Sequence, residues 1–224
     1  MLKSNGFFTI YVYMIFHKYQ LIFVGIPKNG STSVCETLTP NDNTTRSHAT
    51  LKKLLNDNPN INNYYRAAIK RNPYIRAISA YTMMPGKCKT FKEKIKQVFD
   101  QHISFIPTNL FTVQSSSSII DYYYEHKMES VFIPQYYYMT LNNKIELNEI
   151  LCLENIENDW YNFASKFEGM PTTLKLENKT PVRDCDNEWQ SHYDSESIEI
   201  VNYLYKHDFE VLNYQMLNPL SLPW

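Results

Sequence analysis

Apolar residues along this chain fall into two patterns. Short continuous runs stop at Gly, Pro, Arg or Glu, and between them lie stretches whose apolar residues recur at three- and four-residue intervals. The run from Gln20 to Gly25 (QLIFVG) is short and rich in β-branched and aromatic residues, and predicts a buried strand. Ser31 to Leu38 predicts a helix opened by hydroxyl residues, which make good N-caps. Thr39 to Ser47 is polar and reads as a loop, and His48 to Asn56 sets Leu51, Leu54 and Leu55 at helical spacing. Tyr64 to Ile69 predicts a second strand, broken by Arg71, Asn72 and Pro73. Pro73 suits the first turn of a helix running to about Met83.

Lys87 to Gln101 places Phe91, Ile95, Val98 and Phe99 on one face with lysines opposite, an amphipathic helix. Ser115 to Ser118 reads as an exposed loop. Ile150 to Leu153 predicts a third strand ended by Glu154, and Asn155 to Phe167 and Ser195 to His207 predict helices. The second of these carries Ile198, Val201, Leu204 and Tyr205 on its apolar side. Strands alternating with helices predict an α/β fold of three layers, a central parallel sheet flanked by helices, with no internal repeat. Residues 1–19 read as an N-terminal extension or edge segment and 20–224 as a single domain, with Met14 an alternative start.

Composition narrows the class. With 224 residues, 43% hydrophobic and 20% charged, the chain is globular and long enough for a continuous core. Its 22 basic residues against 23 acidic ones exclude a generally basic nucleic-acid binder. One local excess remains: Lys70 to Lys96 holds eight basic residues and a single acid, Glu93. A solvated face accounts for its lysines. The apolar run from Gly6 to Phe16 is too short for a membrane span, which needs about 20 residues. His17, Lys18, Tyr19 and Gln20 follow it in place of a small-residue cleavage site, so no export signal is read and a cytoplasmic location is expected. Cys35, Cys88, Cys152 and Cys185 show no C-x-x-C and no partnered His spacing, which argues against zinc and for reduced thiols.

The candidate chemistry begins at Gly25-Ile26-Pro27-Lys28-Asn29-Gly30-Ser31-Thr32-Ser33. This segment lies where a strand turns into a helix, so backbone N–H groups and the helix dipole create an anion site. Gly25 and Gly30 have the spacing of a P-loop, G-x-x-x-x-G-K-[ST], but Ser31 stands where that loop carries Lys. The loop's lysine, Lys28, comes before the second glycine, where it addresses a group at the mouth of the loop. A plain strand–turn–helix with a proline stop is the bland alternative. Arg71-Asn72-Pro73-Tyr74-Ile75-Arg76-Ala77-Ile78-Ser79-Ala80-Tyr81 follows the second strand. There the Arg71 guanidinium and the Ser79 hydroxyl can converge on one phosphate. Surface arginines and a small packing serine remain the plainer reading.

Together these segments resemble the PAPS-dependent sulfotransferases, specifically their carbohydrate branch. PKNGSTS is similar to that family's PK-x-G-[ST]-[ST]-S loop, and RNPYIRAISAY to its R-[DN]-P-x-x-R-x-x-S-x-Y element. Weaker echoes follow in order: His48 at a helix start, Pro134-Gln135 (with Val131 where a His often stands), Leu153 to Asp159, and Tyr205 to Tyr214.

The resemblance implies a P-loop-like fold and in-line transfer of a sulfuryl group from PAPS to a hydroxyl or amine of an acceptor, a carbohydrate or another small hydroxyl compound. It implies that Lys28 meets charge on the bridging oxygen and that the backbone of Asn29, Gly30, Ser31 and Thr32, with the Ser31, Thr32 and Ser33 hydroxyls, holds the 5′-phosphate. Arg71 and Ser79 then hold the 3′-phosphate, and no metal is required. An attacking hydroxyl needs a base. His48 is the candidate because imidazole titrates near neutrality, with Glu154 the alternative. A capping or solvated histidine and a paired carboxylate are the respective bland readings. Arg183, beside Lys179 and Thr180, is the candidate for closing over a phosphate, against a solvated loop cation. Tyr122–Tyr124 and Tyr136–Tyr138 suit either stacking on an acceptor or packing. Two other readings stay open: a P-loop kinase with Mg²⁺ on Thr32 and Glu154, and a non-catalytic carbohydrate-binding relative.

Overall fold

The computed structural model describes residues 11–12, 14–40, 45–46, 48–83, 90–104, 130–176 and 187–221. The Ser115–Ser118 loop, Tyr122–Tyr124, Lys179, Thr180, Arg183, Cys88 and Cys185 lie outside the described residues.

A short strand β1 (Tyr11–Val12) precedes β2 (Ile15–Phe16) and β3 (Leu21–Val24). Helix α1 (Ser31–Leu38), β4 (Thr45–Arg46), α2 (Leu51–Asp57), β5 (Tyr65–Lys70) and α3 (Pro73–Met83) follow. Then come α4 (Phe91–Ser104), α5 (Gln135–Met139), β6 (Thr140–Leu141), β7 (Lys144–Ile145) and β8 (Glu149–Cys152). Helices α6 (Ile156–Ala164), α7 (Ser195–Leu204) and α8 (Lys206–Leu212) complete the order.

The central sheet runs β2-β3-β5-β8. β5 pairs in parallel with both β3 (Val24 opposite Ala68) and β8 (Lys70 opposite Cys152), while β2 is an antiparallel edge. Side chains alternate across a strand, so the QLIFVG run serves two cores at once. Ile22, Val24 and Ala68 pack with α2, α3, α4, α7 and α8. Leu21, Phe23, Ala67, Ile69 and Leu151 pack with α1 and α6, where fully buried Trp160 donates its indole N–H to the Pro171 carbonyl at 2.9 Å. This is the expected α/β sandwich with a mostly parallel sheet. No helix among the described residues is long and apolar enough to cross a membrane.

Two sequence expectations change. The polar loop of residues 39–47 contains β4, which pairs in parallel with β1. The helix predicted from Ser195 to His207 stops at Leu204, because Tyr205 leaves helical geometry (φ −110°, ψ 22°) before α8 begins. That break lets Tyr205 donate its hydroxyl to the Phe132 carbonyl at 2.9 Å and turns Asp208 inward. The tight turn joining β6 and β7 is made by Asn142 (φ 52°) and Asn143 (φ 62°), residues that tolerate the left-handed region a hairpin turn demands.

Candidate active site

The chain leaves β3 through a turn in which the Ile26 N–H donates to the Val24 carbonyl at 3.0 Å and the Asn29 N–H to the Ile26 carbonyl at 3.3 Å. Lys28 (φ 70°) and Gly30 (φ 78°) are both left-handed. For a non-glycine residue that backbone costs about 1–2 kcal/mol, so the surroundings must hold Lys28 in place. Gly30 caps α1 with no side-chain hydrogen bond, which corrects the expectation of a hydroxyl N-cap: Ser31 is the first helical residue. The first-turn N–H groups of a helix have no intrahelical acceptor, and here the positive end of the α1 dipole lies at the end of the loop. Ser31 and Ser33 are buried and Thr32 is half-buried.

The Lys28 ammonium reaches the Met83 sulfur at 3.4 Å. Burial, and then the charge of Arg71, push its pKa down, so a second positive group presses on it. Asn29 points its side chain inward, where Nδ2 donates to the Ile69 carbonyl at 2.7 Å and to Gln135 Oε1 at 2.5 Å. It therefore offers the loop mouth its backbone and not its carboxamide.

Arg71 leaves the end of β5 and donates Nη1 to the Lys28 carbonyl at 3.1 Å, so the second motif grips the first loop at its lysine. Asn72 Oδ1 accepts the Tyr74 N–H at 2.9 Å, and Pro73 starts α3. Arg76, almost wholly buried, donates Nε to the Pro27 carbonyl at 3.1 Å and Nη2 to the carbonyls of Val131 at 3.0 Å and Ile133 at 2.8 Å. Ser79 is fully buried two turns into α3.

His48 stands just before Thr50, whose Oγ1 caps α2 by accepting the Lys53 N–H at 3.1 Å. Its Nδ1 lies 2.7 Å from the Gly25 carbonyl at the start of the phosphate loop. A carbonyl can only accept, so Nδ1 carries the hydrogen and Nε2 is left with a lone pair in the neutral ring. Burial lowers the His48 pKa, opposed by the Gly25 bond and helped by the charges of Arg76 and Lys28.

A strand-to-helix turn with an open helix start, two mutually repelling cations and a neutral imidazole suits a polyanionic substrate that loses a charged group. A scan against protein families matches the sulfotransferase family over residues 11–215. The chain belongs to the sulfotransferase family. That family, which includes carbohydrate sulfotransferases, transfers the sulfuryl group of PAPS, so the kinase reading gives way. Neither the curated proteins nor the solved structures contain a match to this chain.

In this sulfotransferase Glu154 is engaged as a clamp. Its Oε1 accepts the Asn72 N–H at 2.5 Å, and its Oε2 accepts from the Cys152 thiol and the Tyr214 hydroxyl, each at 2.9 Å. Lys70 lies over the Tyr214 ring at 4.9 Å and donates to the Leu212 carbonyl at 2.7 Å, tying the C-terminal segment to the same end of the sheet. Of the second tyrosine cluster, Tyr138 is core, while Tyr136 and Tyr137 are half-buried. Tyr136 donates its hydroxyl to the Asn143 carbonyl at 2.8 Å.

Sequence reasoning gave Gln135 and Asp208 no role, yet Gln135 bonds to both candidate segments, at Asn29 and Arg71, and Asp208 holds Gln135. Asp208 is fully buried and accepts the N–H groups of Gln135 and Tyr136, each at 2.8 Å. Burial raises its pKa while the Arg76 guanidinium opposes the rise. The Pro-Gln and Asp-Phe echoes were the only signal of these two residues, because no spacing rule links positions so far apart in the chain.

Proposed function

We propose that this sulfotransferase moves the sulfuryl group of PAPS to a hydroxyl of a carbohydrate acceptor, using the loop after β3 for the 5′-phosphosulfate and the start of α3 for the 3′-phosphate. The observation that carries the reading is the 3.1 Å hydrogen bond from Arg71 Nη1 to the Lys28 carbonyl, which joins the Arg71 segment directly to the loop after β3. The backbone from Asn29 to Thr32 and the Ser31–Ser33 hydroxyls hold the 5′-phosphate, and Arg71 with Ser79 holds the 3′-phosphate. The acceptor oxygen forms a bond to sulfur as the bond from sulfur to the bridging phosphate oxygen breaks. Negative charge grows on that bridging oxygen, where the Lys28 ammonium meets it. The acceptor proton passes to His48 Nε2, the nitrogen that the Gly25 bond leaves free of hydrogen. Glu154 ranks behind His48 as a base because its oxygens already accept three hydrogen bonds. Positioning and charge stabilisation dominate such a transfer, so fixed cations and N–H groups suffice without a metal.

The test is transfer of labelled sulfate from PAPS to a panel of glycans and small alcohols, with PAP release counted and a chelator present. Expected is one PAP per sulfate transferred to a sugar hydroxyl, unaffected by the chelator. Labelling of simple alcohols alone overturns the carbohydrate assignment. Tight PAP binding with no transfer to any acceptor returns the chain to a non-catalytic relative.

A further inference from the structure

The two anion sites are joined through one buried carboxamide that belongs to neither motif. Gln135 opens α5 and is fully buried. Its side chain fills all four of its hydrogen-bonding positions. Oε1 accepts from Asn29 Nδ2 at 2.5 Å and from the Arg71 N–H at 2.9 Å. Nε2 donates to the Arg71 carbonyl at 2.8 Å and to Asp208 Oδ2 at 3.3 Å. Only a carboxamide offers two acceptor and two donor positions on one planar group, so no other side chain of this size reproduces the set. Asp208 fixes the carboxamide in turn, because it also accepts the backbone N–H of Gln135. Arg76 ties the same strut to the first loop by a second route, from Val131 and Ile133 to Pro27.

We propose that Gln135, held by Asp208, is a positioning residue that fixes the separation between the 5′-phosphate loop and Arg71, and thereby sets the preference for an adenosine bisphosphate over a monophosphate. The proposal rests on the assignment of the two phosphate sites made above. A ligand with two linked phosphates gains from the second only if both sites stand at the matching distance. Loosening the strut leaves each site its own donors but lets the distance between them wander. Binding of PAP then suffers, whereas a ligand that engages one site does not. A role confined to stability gives a different result, because losing buried partners lowers the folded fraction without regard to which ligand is offered.

The experiment measures dissociation constants of PAP and 5′-AMP for the wild type, Gln135→Ala and the near-isosteric Gln135→Met, with the melting temperature recorded for each. In the variants PAP is expected to bind about 10–100-fold more weakly, the range typical of residues that orient a ligand-contacting group, and 5′-AMP to change by less than about threefold. If neither Gln135 variant folds, Asp208→Asn, which keeps the shape and one acceptor, carries the same comparison. Equal losses for the two ligands, or a wild-type preference for PAP that folded variants retain, overturn the proposal alone. A wild type indifferent to the 3′-phosphate overturns the underlying site assignment, and this proposal with it.

Discussion

Two strand-to-helix junctions lie against each other in this sulfotransferase, joined by the Arg71 bond to the Lys28 carbonyl, and as the proposed anion sites they are built by opposite means. After β3 the junction is open: Lys28 and Gly30 turn left-handed, and no side chain caps α1. After β5 the backbone donors of the junction are taken up by side chains, one local and two from distant segments. Asn72 Oδ1 takes the Tyr74 N–H, Glu154 takes the Asn72 N–H, Gln135 takes the Arg71 N–H, and Pro73 has no N–H to offer. What the second junction offers on the proposed reading is therefore side chains, Arg71 with Ser79. On the reading proposed above, the first binds through backbone geometry plus one ammonium and the second through a guanidinium fork, so the two should fail under different substitutions.

The sharpest separation is between rate and affinity. Lys28→Ala removes the charge facing the leaving oxygen while the open amides remain, and is expected to lower kcat by about a hundred- to a thousandfold with a far smaller change in PAP affinity. Steady-state kinetics beside calorimetric PAP binding checks it, and unchanged turnover refutes the role given to Lys28. Arg71→Lys comes next. It keeps the charge but loses the planar fork and the Nη1 bond to the Lys28 carbonyl, so PAP should bind on the order of tenfold more weakly while 5′-AMP barely changes. A lysine that serves as well as arginine would mean that charge alone, and not fork geometry, operates at the second junction.

The open junction was legible in the sequence down to its residues, because its chemistry is local: a short apolar strand, a Gly-containing turn and a hydroxyl-rich helix start are contiguous. What misled was the cap. Ser31 looks like an N-cap by residue type, but the left-handed Gly30 takes that position and has no side chain with which to cap the helix. Arg71 was legible for the same reason, whereas the buried end of Arg76 was not, since its acceptors at Val131 and Ile133 come from a distant segment. The inward turn of Asn29 and the roles of Gln135 and Asp208 are likewise long-range. Helical periodicity also failed at Tyr205, where the apolar stripe continues through a break that brings Asp208 under α5.

A smaller effect contrasts the junctions through stability. Gly30→Ala forces a residue with a Cβ to hold φ 78°, with that Cβ 3.2 Å from the Leu153 Cδ1 atom. The expected cost is about 1–2 kcal/mol, read as a lower melting temperature, together with weaker PAP binding because the loop amides re-aim. Asn72→Ala at the closed junction loses a capping bond worth about 1 kcal/mol and should leave PAP affinity nearly intact. If Asn72→Ala weakens PAP binding as much as Gly30→Ala does, the second junction is not closed in the sense argued here.

The subtlest expected effect lies in the pH profile. As the proposed base, His48 would act only when neutral, and burial together with the charges of Arg76 and Lys28 lowers its pKa below the usual 6.5. The acid limb of kcat/KM for PAPS, which reports the free enzyme, should therefore fall below pH 6.5, with activity lost as pH drops through the lowered value. The sign is the same for stability: below pH 6.5 the unfolded chain takes up the proton more readily than the folded one, so folding weakens as the solution is acidified. Bound PAPS brings phosphates beside the cations that depress His48, offsetting their charge and favouring the imidazolium. The limb of kcat, which reports the complex, should thus stand at higher pH than the limb of kcat/KM, and His48→Ala should abolish both. Coincident limbs would mean that His48 does not sense the phosphates held by the open junction, and would move the base to another group.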